Sequence, residues 1–238
     1  MAQVINSNIA SLFASAALNK SANALQTAQQ RLSSGLRINS VSDDPTGLVI
    51  ATGYDTQIRG TNIAIKNAND AISKAQTNDG YAAQVLDNLQ RLYEIAVQAG
   101  GTAAGAESTS LIAENARIAA LTTATGAVTV DGAGNKVTGV GTVITVPVAV
   151  TAAAIKTEIT ALTAERANFG ADIATFNSAV STMQTASVNL SASYSRIMDT
   201  DFSVESANMA KNNVLQQAGI AVLAASNQTP NMVLTLLR

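Results

Sequence analysis

The sequence predicts a mainly α-helical protein, an elongated antiparallel helical bundle or coiled coil with a small β-hairpin insert. Apolar residues recur three or four positions apart over long stretches, which is typical of helices with one buried face. Hydrophobic residues make up 47% of the 238 residues, but aromatic residues only 3%, and tryptophan is absent. Small aliphatic side chains of this kind suit close helix packing better than a ligand cavity. A single Val- and Thr-rich segment interrupts the helical pattern.

The two ends of the chain are the most unusual part of the pattern. No charged residue occurs from Met1 to Asn19, or between Lys211 and Arg238. Both stretches carry a narrow apolar stripe with helical spacing, and such a stripe must face a partner. The first stripe slips by one residue in phase after Leu12. We therefore predict an intersubunit core formed by Ile5, Ile9, Leu12, Leu18, Leu25, Leu32, Val214, Ala218, Val222, Ala225 and Leu236.

The first half of the chain reads as two helices. The first is predicted over 3–36, and Gly35 and Asn39 indicate its end. Asp44 followed by Pro45 is a strong start signal, because Asp caps a helix and Pro suits its first position. From there heptad spacing continues to Gln98, which predicts a rod of about 80 Å if the helix is unbroken. Its expected core positions are Ile58, Thr61, Ile65, Ala68, Ile72, Ala75, Asp79, Ala82, Leu86, Leu89, Tyr93 and Ala96.

The second half mirrors the first. A helix is predicted over 108–125, a β-hairpin near 127–150 around the turn 131–135, and a long helix over 152–197. A last helix is predicted from about Val204 to Ser226, with Asp201 as its cap and Pro230 as an interruption. This layout predicts two regions. Residues 1–44 and 199–238 form paired terminal helices, the inner core of an assembly, and residues 45–198 form an outer helical rod domain.

The terminal helices are expected to need neighbouring copies of the chain. Ordering the last ~35 residues costs about 35–70 kcal/mol of backbone entropy. The stripe offers mainly Ala, Val and Leu, each worth at most ~1–3 kcal/mol when buried. We therefore expect both termini to be largely disordered in the free protein and to fold only when neighbouring copies surround them.

Composition excludes several functional classes. Histidine and cysteine are both absent, so no catalytic, cofactor-binding or metal site is predicted, and the chain is not expected to be an enzyme. The acidic pairs Asp43–Asp44 and Asp199/Asp201 sit at predicted helix starts, where capping explains them. A net charge of −2 argues against a nucleic-acid partner. The longest apolar run, Ile220–Ala225, is too short to span a membrane, and no cleaved leader is visible at the N-terminus.

Several motifs resemble those of bacterial flagellin. At the N-terminal side they are Met1–Asn6, the run Leu32-Ser-Ser-Gly-Leu-Arg-Ile-Asn39, Asp43-Asp44, Asn67–Ser73, Leu89-Gln-Arg91 and Ala96-Val-Gln98. At the C-terminal side they are Arg196–Phe202, Gln217-Ala-Gly219, Asn227-Gln-Thr-Pro230 and Leu236-Leu-Arg238. The similarity covers roughly residues 1–100 and 168–238.

The resemblance implies a structural subunit of the flagellar filament, a homopolymer outside the bacterial cell that serves swimming. It implies an inner tube made of the terminal helices and an outer tube made of the longer helices. It also implies unfolded export through the flagellar type III apparatus, a cytoplasmic export chaperone on the C-terminal segment, and a filament cap at the distal tip. The large outer domains of the family are not expected here, so this is a short form.

The family's surface for the vertebrate Toll-like receptor for flagellin also has a counterpart. The residues that mark this surface are Gln90, Arg91, Glu94, Ile95 and Gln98. The resemblance also assigns them to contacts with the outer-tube region of a neighbouring subunit. Two positions depart from the family pattern. The first is Tyr93, where a basic residue is usual, and the second is Ile95, where leucine is usual.

Two other functions remain open from the sequence. A hook–filament junction (hook-associated) protein has similar ends, but Met1–Asn6 and Leu236–Arg238 favour a filament subunit. A secreted coiled-coil effector or immune ligand would instead form a stable soluble oligomer.

Overall fold

A computed structural model describes residues 7–122, 127–129, 136–139, 141, 144 and 150–236. Five helices and two short strands follow one another along this part of the chain. They are α1 (Ile9–Ser34), α2 (Pro45–Gln98), α3 (Ala106–Ala119), β1 (Ala127–Thr129), β2 (Lys136–Thr138), α4 (Ala152–Met198) and α5 (Phe202–Leu236). The mainly α-helical fold class with a small β insert is therefore confirmed. The helix predicted to end at Gln98 is also unbroken, despite its internal glycines.

The chain divides into two compact units. Unit 1 comprises Met1–Gly53 and Ser193–Arg238, and unit 2 comprises Tyr54–Ala192. The divisions fall within α2 and α4, whereas the boundaries predicted from the sequence, after residues 44 and 198, lie in the connectors.

Short polar side chains start the helices of unit 1. Asn8 caps α1, with its Oδ1 accepting a hydrogen bond from the Ser11 amide at 3.1 Å. Asp44 accepts one from the Gly47 amide at 2.9 Å at the start of α2. Asp201 accepts from the second and third residues of α5. These caps satisfy amides that have no partner within their own helices, so the capping roles of Asp44 and Asp201 are confirmed.

The two connectors of unit 1 hydrogen-bond to each other. Leu36 forms an isolated antiparallel bridge with Asp199, and the Thr200 amide donates to the Gly35 carbonyl at 3.0 Å. The Arg37 guanidinium donates to the carbonyl of Ile197, near the end of α4, where helix carbonyls lack partners. Beside these bonds lies a small apolar cluster formed by Ile38, Ala51 and Met198. The end of α4 and the end of α1 are thereby held together.

Unit 2 has an alanine-rich core face on α2. The fully buried positions of this face repeat in steps of three and four residues and are Thr61, Ala64, Ala68, Ala71, Ala75, Asn78, Ala82, Val85, Leu89, Leu92 and Ala96. Every second predicted core position agrees with this series. Ile72 is also buried in the core, although it lies one position from this series. Ile65 and Leu86 also lie one position away, and they only flank the core. The sequence-based prediction placed the larger side chains of α2 in the core. The contact instead lies on the small residues, because they allow the partner helix to approach most closely.

Helix α4 covers that face with large side chains. Its most buried apolar residues come every seven positions and are Ile155, Leu162, Phe169, Phe176 and Met183. Phe176 packs in one cluster with Ala64, Ala68 and Ala71. One large residue per heptad thus fills the space that the alanines leave, as close packing of a protein interior requires.

The β insert is fastened to the helices at several points. Strands β1 and β2 pair antiparallel, with Val128 opposite Val137, and Val137 also packs against the cluster around Phe176. The Gly141 amide donates to the buried carboxylate of Asp172 on α4 at 2.8 Å. The predicted turn 131–135 lies outside the described residues. Helix α3 ends at Ala119 rather than at residue 125, because turns at Leu121 and Thr122 close it.

The expected interruption of the last helix at Pro230 is wrong, since α5 continues to Leu236. Proline has no amide hydrogen, so the carbonyl four residues earlier, that of Ser226, loses its helical partner. The Asn8 side-chain Nδ2 donates to this carbonyl at 2.8 Å. A hydrogen bond from α1 therefore replaces the one that proline removes.

Candidate self-association surface on the terminal helices

Helices α1 and α5 pack side by side in unit 1, running in opposite directions. Three contacts mark their register. Arg31 pairs with Glu205 at 2.9 Å, Leu18 lies against Gly219, and the Ser11 hydroxyl donates to Asn227 Oδ1 at 2.8 Å. A Cβ placed on residue 219 would sit 3.2 Å from Leu18 Cδ1. The absence of a side chain at Gly219 is thus what lets the two helices approach at this level.

The α5 side of this contact, here called the seam, is unexpectedly polar. Its members are the at least partly buried residues of α5 between Phe202 and Gln228, where burial is described. They are spaced alternately four and three apart: Glu205, Met209, Asn212, Gln216, Gly219, Leu223 and Ser226. Alternating steps of four and three are the spacing of a coiled-coil contact line. Only two of the seven have large apolar side chains, so α5 does not use its apolar face to bind α1.

The α1 side of the seam explains the phase slip in the first stripe. Leu25 and Ala28 are buried there, and Leu18 and Leu32 are half-buried. Nine residues correspond to two and a half helical turns, so Ile9 and Leu18 lie on opposite sides of α1. The apolar pattern that reads as one slipped stripe in the sequence consists of two faces.

The faces turned away from the seam are apolar and exposed. On α1, Ile9 is 68% exposed, Leu12 73% and Phe13 78%. On α5, Val214 is 64% and Val222 56% exposed. Each is a large aliphatic or aromatic side chain left in contact with water, and exposed apolar faces of this kind mark interaction sites on soluble proteins.

The predicted intersubunit core residues fall into three groups. Ile9, Leu12, Val214, Ala218, Val222 and Ala225 lie on the outward faces, and Leu18, Leu25 and Leu32 lie in or beside the seam of the same chain. Ile5 and the side chain of Leu236 lie outside the described part of the chain. The sequence reasoning missed Phe13, whose spacing of four from Ile9 would have revealed it.

Charge is scarce on both helices. Lys20 and Arg31 are the charged residues of α1, and Glu205 and Lys211 those of α5. The Arg31–Glu205 pair lies in the seam, with the Glu205 side chain only 10% exposed. The Arg31 Nε is buried without a hydrogen-bond partner. Because desolvation offsets the attraction in such a partly buried pair, it adds little net stability. The outward faces are left nearly free of charge.

The second predicted surface, on unit 2, is built differently. Gln90, Arg91, Glu94 and Gln98 are exposed on α2, while Ile95 is partly buried against the core. Arg91 pairs with Glu107 of α3 at 2.9 Å and with Glu94 at 3.1 Å. Hydrogen bonds to Glu107 first, and to Glu94, raise the pKa of Arg91 above its usual value. Exposed pairs of this kind hold side chains in place and add little stability.

The described part of the chain offers no obvious chemical centre. Among the residues that the structure describes, no three acidic side chains come together in a group that could hold a metal ion. Within the same residues, none of the helices is sufficiently long and apolar for a bilayer crossing. What the terminal helices offer instead is contact area.

Comparison with known proteins places this architecture in a family. Residues 5–137 match the bacterial flagellin N-terminal helical region, and residues 152–237 match the bacterial flagellin C-terminal helical region. A flagellin of Salmonella muenchen is 51% identical over 112 residues, which are 47% of this chain and 22% of that protein. A flagellin of Serratia marcescens is 51% identical over 110 residues, 46% of this chain and 30% of its own length. Flagellin 1 of Proteus mirabilis is 48% identical over 112 residues, 47% of this chain and 31% of its own.

The matched segments thus span between about a fifth and a third of these relatives. The two family models together cover both helical ends of the chain and most of its middle. With its paired terminal helices and long helical second unit, the chain belongs to the bacterial flagellin family.

Proposed function

We propose that this chain is a structural subunit that polymerises into a bacterial flagellar filament, the helical propeller of swimming. The observation that carries the proposal is the outward apolar face of each terminal helix. These faces stay exposed although α1 and α5 already pack on each other. The contact between the two helices of one chain therefore does not cover them. Copies of the same chain are the partners that the family suggests.

The magnitudes favour a polymer over a single pair. Burying a large aliphatic or aromatic side chain contributes about 1.5–3 kcal/mol. Five such side chains on the outward faces, Ile9, Leu12, Phe13, Val214 and Val222, therefore offer on the order of 10 kcal/mol. Association of two proteins costs an estimated 4–15 kcal/mol before any contact is made. One shared face roughly cancels this cost, and several neighbours per copy exceed it.

The finer roles follow from the same proposal. Residues 1–44 and 199–238 would form the inner core of the filament, with Ile5 and Leu236 among its contact residues, and residues 45–198 would form the outer rod. The subunit would be exported through the flagellar apparatus with a chaperone on its C-terminal segment, and would add to an extracellular filament beneath a cap. The exposed residues around Arg91 are the candidate contact between outer rods, and the candidate site for the vertebrate Toll-like receptor.

Charge placed on the outward faces tests the proposal. In full-length protein, Phe13→Asp or Val222→Asp should abolish filaments in electron microscopy and sedimentation, while circular dichroism keeps the helical signal. Val188→Asp on α4 is the matched control, because Val188 is 68% exposed but belongs to unit 2. Normal filaments from both outward-face variants would refute the role given to these faces.

A hook–filament junction protein remains the second candidate, because the terminal regions would look alike. Purified protein grown from short filament seeds separates the two functions. A filament subunit extends the seeds over many layers, whereas a junction protein stops after one.

A further inference from the structure

Helix α3 lies on the core of unit 2 with a mostly polar contact line. Leu111 and Ile112 are only partly buried beside that core. Within Ala106–Ala119, all of which the structure describes, Ile118 is the one apolar side chain that is buried. The buried residues of the helix and of the turn that follows it are Ser108, Asn115, Ile118 and Thr122.

Asn115 is the least satisfied residue of this contact. Its side chain is completely buried, and its Oδ1 accepts a hydrogen bond from Asn88 Nδ2 of α2 at 2.7 Å. Its own Nδ2 is buried without an acceptor. A buried donor without a partner has lost its hydrogen bonds to water, and it regains them when the helix opens. This raises the equilibrium constant for opening roughly tenfold to a hundredfold.

Both ends of α3 are tied to parts of unit 2 other than α2. Before the helix, the Ala103 amide donates to the Val150 carbonyl at 2.7 Å, close to the start of α4. After the helix, the Ile144 amide donates to the Thr122 hydroxyl at 3.1 Å in a buried position. The helix between these two anchors can therefore leave α2 while both anchors stay bonded.

The start of α3 has few restraints. Gly105 precedes the helix with φ +122°, a backbone conformation that glycine adopts at little cost. No side-chain hydrogen bond caps α3 there, in contrast to the starts of α1, α2 and α5. The ion pair of Arg91 with Glu107 is exposed, and exposed pairs add little stability. Because a helix of 14 residues is marginal alone, α3 depends on its contact with α2.

We propose that α3 is a strap that opens from α2 as one segment while α2 and α4 stay paired. Segments with few buried apolar contacts open at a lower free energy than the core around them. Opening separates Ile118 from the apolar cluster that it shares with Leu89 and Leu92, and so presents apolar surface of α2 to solvent. This opening belongs to the single chain and does not require filaments.

Hydrogen exchange of the full-length, unpolymerised protein, followed by mass spectrometry, tests the strap. Peptides from α3 should exchange about a hundredfold faster than peptides from residues 64–75 of α2, after correction for intrinsic rates. Equal protection of the two segments would overturn the proposal. The result is independent of the proposed function, because no polymer is present in the measurement.

Ala71→Gly separates opening of the strap from unfolding of the whole unit. Ala71 packs in the cluster around Phe176, whereas Ile118 belongs to the other cluster of unit 2. Glycine in a helix interior should speed exchange in residues 64–75 roughly tenfold. Exchange in α3 should not change, because the cluster around Phe176 stays intact when only the strap opens. An equal rise in α3 would overturn the proposal, since α3 would then open only with the rest of unit 2.

The role of Asn115 has its own test. Asn115→Leu replaces the unpartnered amide by an apolar side chain and should slow exchange in α3 roughly tenfold. Asn115→Val, with a smaller side chain, covers the case in which leucine does not fit. Asn69→Leu, at an exposed position of α2, is the matched control and should leave exchange in α3 unchanged. Exchange in α3 that neither Asn115 variant slows would overturn the role given to this residue.

Discussion

Asn8 and Ser226 lie 218 positions apart in the chain and share a hydrogen bond of 2.8 Å between the Asn8 Nδ2 and the Ser226 carbonyl. The same asparagine uses its Oδ1 to cap α1. Because Pro230 has no amide hydrogen, the carbonyl of Ser226 has no hydrogen-bond partner within α5. One side chain therefore starts α1, supports α5 across its proline, and joins the two helices.

This arrangement predicts a coupling between Asn8 and Pro230. Asn8→Ala should cost about 1 kcal/mol for the lost cap and about 1 kcal/mol for the lost hydrogen bond. Pro230→Ala restores an amide that can bond to Ser226, so the second loss should disappear in the double variant. A double-mutant cycle by hydrogen exchange at the ends of α1 and α5 measures the coupling. Additive effects within ~0.3 kcal/mol would contradict it.

Gly219 should be intolerant of large side chains. Leucine at this position would collide with Leu18 and push α1 and α5 apart, because even a Cβ atom lies only 3.2 Å from Leu18 Cδ1. We expect Gly219→Leu to cost about 1–3 kcal/mol of terminal-helix stability, as overpacking typically does. Ala224→Leu, on an exposed position of the same helix, is the control and should have little effect. Limited proteolysis of both variants would show the difference as earlier cleavage within α1 and α5.

The large residues of α4 should carry much of the stability of unit 2. Phe176→Ala leaves a cavity among the alanines of α2 and should lower the free energy of unfolding by about 3–5 kcal/mol. Val188→Ala, on the exposed side of α4, should change it by less than ~0.5 kcal/mol. Urea denaturation followed by far-ultraviolet circular dichroism measures both, because helices give a strong negative signal in this range. Equal denaturation midpoints for the two variants would argue against the packing of large α4 side chains on the alanines of α2.

The connector after α1 should respond to acid. The Asp43 carboxylate accepts hydrogen bonds from the amides of Asn39 and Ser40, and these lower its pKa below the ordinary value of 3.8. A lowered folded-state pKa stabilises the turn above the ordinary pKa, and this contribution disappears as the pH falls through the lowered one. NMR shifts of the Asn39 and Ser40 amides should therefore titrate below pH 3.8. In Asp43→Asn this titration should be missing.

The heptad pattern of α2 shows how far sequence reasoning reaches. Helix type, length and the start at Asp44–Pro45 follow from local rules of spacing and capping, and all three are confirmed. Half of the predicted core positions fall on the contact line, and Ile72 is buried beside it, but Ile65 and Leu86 only flank the core. The contact line runs through Ala64, Ala71 and Val85 instead. Periodicity identifies the side of a helix, but the partner's shape decides which residues touch it.

The last helix shows a second limit. Pro230 is a valid stop signal by local rules, since it removes one backbone hydrogen bond. The compensating donor, Asn8, is at the other end of the chain, so no window of sequence around the proline contains it. The missed continuation of α5 thus has a tertiary cause.

The sequence alone determined that this protein is helical, that its ends are uncharged and apolar, and that its motifs resemble the flagellin family. These properties follow from the types of residue and from their spacing along the sequence. Tertiary structure alone decided which face of each terminal helix is buried between α1 and α5 and which face remains exposed. The packing of α1 on α5 uses Leu18 and Leu25 of α1 and the seam residues of α5. Which residues make this contact depends on how two helices far apart in sequence fit together around Gly219. The outward placement of Phe13, Val214 and Val222 is the consequence, because a helix that buries one side must expose the other.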